Sequence, residues 1–144
     1  MILFDAGIYI ASSTYLPYRR VLIEAAKRGE LLLSSVVAME LLAGFRTQRW
    51  RQAFRKLCQD LERIGNVVQP EHEDYLTAGE ILFTLSRKHG HLDFRHHFRD
   101  GLIALEAVRS RATLLTENRK HFLLWRQGLM RSGRSLRLQI LTRP

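Results

Sequence analysis

Short apolar runs of strand length, separated by stretches with helical periodicity, predict an α/β protein: a three-layer α/β/α sandwich around a short-stranded, mostly parallel sheet. The runs are ILF at Ile2–Phe4, ELLLS at Glu30–Ser34, NVV at Asn66–Val68 and ATLLT ending at Thr116. Each reads as a short buried strand. No repeat, low-complexity tract or Pro/Gly/Ser-rich linker divides the sequence, so residues 1–144 read as one domain, long enough to bury a real core.

The elements follow in order. The first run ends in Asp5, and Ala6–Ser13 can begin a helix. Pro17 suits the first turn of a second helix, through Tyr18–Arg28, which Gly29 closes. After ELLLS, Ser35 stands where it can cap the helix VVAMELLAGF, ending near Gly44. Between Thr47 and Ile64, Trp50, Phe54, Leu57 and Leu61 recur at helical spacing, with Arg49, Arg51, Arg55 and Lys56 on the other sides. Gly65 ends that helix. Glu71–Lys88 form another, stopped near Gly90. A charged loop then leads to Asp100, which opens the helix DGLIALEAVRS. A last helix spans roughly Arg119–Met130, and SLRLQIL at Ser135–Leu141 alternates as an edge strand.

Charge narrows the function classes. The net charge is +9, from 23 basic against 14 acidic side chains, which favours a polyanionic partner, nucleic acid ahead of an anionic membrane surface. Cys58 is the only cysteine, so no internal disulfide can form and a reducing compartment, the cytoplasm, is expected. Asp5 interrupts the opening apolar run too early for a secretory h-region, and no stretch approaches a membrane span.

In parallel α/β sheets, ligands gather beyond the carboxyl ends of the strands. Asp5 ends the first strand, Glu40 lies in the helix after the second, and Thr116-Glu117-Asn118 end the fourth. Asp100, before the fourth strand, faces the same end. Carboxylates gathered there repel one another and raise each other's pKa. A hard divalent cation relieves that penalty, and oxygen ligands are what magnesium and manganese prefer. Acids around a metal beside a basic surface point to phosphodiester chemistry.

FDAGIYI, VVAMELLAG, RDGLIALEAV and LLTENRKHF, in that order, resemble the four successive motifs of PIN-domain proteins, with VapC-type toxins of toxin–antitoxin pairs the nearest subgroup. The resemblance spans essentially the whole chain. It implies a compact nuclease domain that hydrolyses RNA with bound Mg2+ or Mn2+. It also implies an antitoxin partner and a homodimer. The family's acids fall on Asp5, Glu40 and Asp100, with Asp5 and Asp100 as the metal ligands. Asn118 completes the catalytic set through water, and Thr116, Glu117 and His121 support it. Two departures stand out. Ala6 and Gly7 replace the Thr and Asn or Ser usual after the first acid, and Asn118 and His121 occupy the positions where the fourth acid usually stands. They motivate an alternative: a PIN-like module that binds RNA or a protein without cutting. A phosphatase using Asp5 as nucleophile fits poorly, because neither Ala6 nor Gly7 offers the second acid or hydroxyl that chemistry needs.

Each candidate also has a plain structural reading. Asp5 can cap a helix, Glu40 can lie on an exposed stripe, and Asp100 can complement a helix macrodipole. His91, His96 and His97 with Asp93 match no zinc spacing and read as surface residues or phosphate contacts. The Trp50 stripe is core or interface. The flanking Arg46 and Arg49, with His96, are a solvated face or an RNA path.

Overall fold

The computed structural model describes all residues from Met1 to Pro144. Five strands and seven helices alternate: β1 (Ile2–Phe4), α1 (Ala6–Ser12), α2 (Leu16–Lys27), β2 (Leu31–Ser34), α3 (Ser35–Gly44), α4 (Gln48–Arg63), β3 (Val67–Val68), α5 (His72–His89), α6 (Phe94–Arg109), β4 (Thr113–Thr116), α7 (Arg119–Arg131) and β5 (Arg137–Ile140). The strands form one sheet in the order β3-β2-β1-β4-β5, and every pairing is parallel. Even the alternating C-terminal edge strand runs with the rest, Thr116 opposite Ile140.

The chain winds outward from β1 to β3, then crosses back to β4 and continues to β5. Right-handed crossovers therefore lay α1–α4 on one face and α5–α7 on the other, which is the three-layer PIN-like sandwich. The direction of winding reverses between β1 and β4, and beyond their carboxyl ends opens the crevice where such sheets bind ligands. The residues at those two strand ends, Asp5 and Thr116, are both buried. No helix is long and apolar enough to cross a membrane.

Burial on both faces explains the strand composition: Leu3, Phe4, Leu31, Leu32, Leu33, Leu114 and Leu115 all lie in the core. On the second face, α7 packs tightly because glycine lets it. A methyl group on Gly101 would fall 2.3 Å from the ring of fully buried Trp125, and one on Gly128 would fall 2.5 Å from Ile81.

Two boundaries differ from the sequence reading. The cap of α3 is Ser34, not Ser35: its hydroxyl accepts from the amides of Val36 (3.1 Å) and Val37 (3.2 Å). The last strand residue thus doubles as the cap, leaving no loop between them. Asp100 does not open its helix either. α6 begins at Phe94, where Asp93 accepts from the Arg95 amide at 2.9 Å and Phe94 stacks on Phe98 with centroids 4.9 Å apart. The stretch expected as a charged loop supplies its first turns. Asp100 therefore projects from the body of a helix, and the macrodipole account of it does not apply.

Candidate active site at the sheet switch point

Asp5 is held from both sides. Its Oδ1 accepts from the Ala6 amide at 2.8 Å, so it caps α1, while Oδ2 accepts from the Thr116 hydroxyl at 2.8 Å. The Thr116 oxygen in turn accepts from the Asn118 amide at 2.9 Å. This relay steadies the acid from β4, where the first motif's own neighbours, Ala6 and Gly7, have no hydroxyl or amide side chain to offer. A side chain at Gly7 would meet Asp5 Oδ2 only at ordinary contact, 3.9 Å.

Asp100 comes to the same rim from α6. His121, in the first turn of α7, donates through Nδ1 to Asp100 Oδ2 at 2.7 Å. Burial pushes the carboxyls of both Asp5 and Asp100 above the usual range, and the charge of Asp100 pushes Asp5 further the same way. Thr116 and His121 oppose the shift on Asp5 and Asp100 respectively. Behind His121 lies His97, with ring centroids 4.6 Å apart. His97 Nδ1 is buried without a hydrogen-bond partner, and burial pulls its pKa below the ordinary value.

Glu40 reaches the rim from α3, but its carboxylate is already engaged: Arg99 Nε lies 3.0 Å from Glu40 Oε1. Burial raises the Glu40 pKa, Arg99 lowers it, and the charges of Asp5 and Asp100 raise it. The three acids do not converge on one point: no three acidic, histidine or cysteine side chains are gathered closely enough to form a ready-made cage.

The remaining sequence candidates disperse. Asn118 caps α7, its Oδ1 accepting from the His121 amide at 3.3 Å. Glu117 turns away from Asp5, accepting from the Tyr18 hydroxyl (2.9 Å) and from Arg143 at 2.7 and 3.1 Å. His96 is exposed and lies 3.5 Å from Asp93, the neighbour that starts its helix. Arg46 and Arg49 belong to another feature. Together with Ile10, Leu22, Ile23, Trp50 and Leu57, Arg46 lines an apolar groove of about 580 Å³ between α1, α2, α3 and α4, and Arg49 lines an adjoining hollow. Within the Trp50 stripe, Phe54 and Leu61 are core, whereas Trp50 is half exposed in that groove.

Sequence reasoning missed Arg99 and underrated His97. The signal for Arg99 was only its place beside Asp100, because nothing in the sequence pairs it with Glu40. His97 stood in a histidine cluster, but only the helical start at Phe94 aims it inward.

No protein-family model matches the sequence, and no curated protein matches it. Solved structures do. A chain of the VapBC2 crystal structure from Rickettsia felis, bound to a promoter DNA fragment, superimposes with TM-score 0.64 and 24% identity over 99% of this chain and 100% of that one. The fold is shared with VapBC complexes. VapBC-1 from nontypeable Haemophilus influenzae matches at TM-score 0.64 and 26% identity, covering 97% of this chain and 98% of that one. DNA-bound VapBC from Salmonella typhimurium gives TM-score 0.64 at 17% identity, with 97% and 98% covered.

Proposed function

We propose that this chain is a metal-dependent endoribonuclease of VapC-like PIN type, the toxin of a toxin–antitoxin pair, hydrolysing RNA phosphodiester bonds. The observation that carries the reading is the pair of carboxylates, buried Asp5 and half-buried Asp100, at the switch point of a parallel sheet, close enough that the charge of Asp100 raises the pKa of Asp5. The donor set fits Mg2+ or Mn2+. Magnesium is commonly held by one or two carboxylates and keeps several waters, so a two-acid rim suits it without a closed cage. Asp5 and Asp100 would hold the ion, which when bound supplies Lewis-acid polarisation of phosphate and a more acidic water.

The chain's own residues do the rest. Thr116 orients Asp5 and favours its ionised form. His121 does the same for Asp100 and presents an imidazole beside the acids, where it can contact phosphate or carry a proton. The surplus of basic side chains draws RNA toward the crevice. The apolar groove on the α1–α4 side suits apolar side chains of an antitoxin segment, and its Arg19 and Arg46 suit acidic ones. On the opposite layer, Tyr75, Leu76 and Phe83 leave an exposed apolar strip along α5 that a second copy could cover.

The test is RNA cleavage with Mn2+ or Mg2+. Asp5→Asn and Asp100→Asn should each lower the rate by at least about a hundredfold, while circular dichroism and the melting temperature show a folded protein. Equal cleavage by wild type and both variants would refute the assignment. A second reading, a module that binds RNA or a partner without cutting, draws on the engagement of Glu40 by Arg99 and of Asn118 as a helix cap. RNA binding with no turnover at any metal concentration would favour it.

A further inference from the structure

The ion pair between Arg99 and Glu40 has no counterpart in the motif set and sits inside the acid rim. Glu40 lies on α3 and Arg99 on α6, so the bond joins the two layers across the mouth of the crevice. The Glu40 side chain is 21% exposed and that of Arg99 46%, so the pair is partly dried at the acid and open to water at the guanidinium. Arg99 adjoins Asp100 in the chain, and a guanidinium stays charged at every accessible pH.

We infer that Arg99 is a resident counter-ion of this rim: by occupying Glu40 it holds the rim's affinity for a divalent cation below what three free acids would give. The inference rests on the metal-dependent reading above and adds to it a residue that sets cation affinity. The physical argument is competition. A divalent ion at Asp5 and Asp100 would gain from a third carboxylate in the same neighbourhood, either directly or through a water. While Glu40 is committed to Arg99, that gain requires breaking a charge-assisted hydrogen bond. The rim is therefore poised rather than saturated, with one of its three acids neutralised by the chain itself.

The experiment is a Mn2+ titration of the full chain, read by the electron paramagnetic resonance signal of free ion, on wild type, Arg99→Ala, Glu40→Gln and the double variant. Arg99→Ala should bind Mn2+ roughly tenfold tighter than wild type, within the usual size of site-to-site coupling. In the Glu40→Gln background the same change should gain no more than about twofold, because the acid that Arg99 occupied is gone. Melting temperatures with and without Mn2+ give a second readout: the ion should stabilise Arg99→Ala more than wild type. Two results overturn the inference. One is an Arg99→Ala affinity equal to wild type. The other is a full gain that persists with Gln at position 40, which would reduce Arg99 to a remote positive charge. Failure of the nuclease reading looks different: the Mn2+ pattern holds while no variant cleaves RNA.

Discussion

At the scale of single residues, the acids of the rim contrast with one that is sealed completely in the core. Glu106 on α6 is fully buried, and neither of its carboxylate oxygens has a hydrogen-bond partner of normal geometry, with the Ser34 hydroxyl as its polar neighbour. Burial pushes its pKa from the ordinary 4.5 up to about 8, against the pull of Ser34 and Arg109. Between those two values the unfolded chain has lost the proton and the folded chain still holds it. Rising pH therefore favours unfolding across that window, by at most about 5 kcal/mol once pH exceeds the folded value. Glu106→Gln, neutral throughout, should match wild type near pH 5 and melt several degrees higher at pH 8.5. Parallel curves would mean that Glu106 is ionised in the fold. The rim itself offers a complementary prediction. Thr116→Val removes the hydroxyl that donates to Asp5, so it should cost about 1–3 kcal/mol in urea unfolding and weaken Mn2+ binding, since Asp5 then favours its protonated form. Asp5 and Thr116 were legible in the sequence because each ends an apolar run. The bond between Arg99 and Glu40 was not, because only the packing of two helices brings them together.

At the scale of elements, the strands and most helix starts were easy to read, and the start of α6 was not. A run such as LLL beside ordinary polar residues announces a buried strand, and glycines at positions 29 and 65 announce helix ends, both with positive φ. The start of α6 was hidden because Arg95, His96, His97 and Arg99 mask any apolar period. The helix is fixed there instead by the Asp93 cap and the Phe94–Phe98 pair one turn apart. Close helix contacts were equally silent, yet they yield a clean contrast among glycines. Gly101→Ala should destabilise by about 1–3 kcal/mol, since the added methyl overlaps the Trp125 ring, itself walled in by the core. Gly79→Ala, also in a helix but with open space around it, should stabilise by about 0.5–1 kcal/mol through helix propensity alone. Chemical denaturation of the two variants beside wild type checks both signs.

At the scale of the whole molecule, the winding of the sheet decides where chemistry can sit. Two strand ends meet where the winding reverses, a helix from each face leans over them, and residues from all four motifs are drawn to a common rim. The chain closes on itself at the same end, where Arg143 clasps Glu117 and Glu117 holds Tyr18 of α2, joining the C-terminal residues to the first layer. The groove on the first layer and the acid rim adjoin at Glu40, which lines the groove and reaches the rim. The two tryptophans happen to divide between them. Trp50 stands half in solvent at the groove, and Trp125 lies dry against the glycine that follows Asp100. Their emission should differ in colour, the first red-shifted by water and the second blue, so the unlabelled protein carries its own pair of optical gauges: one for a peptide settling into the groove, one for any disturbance beneath the acids.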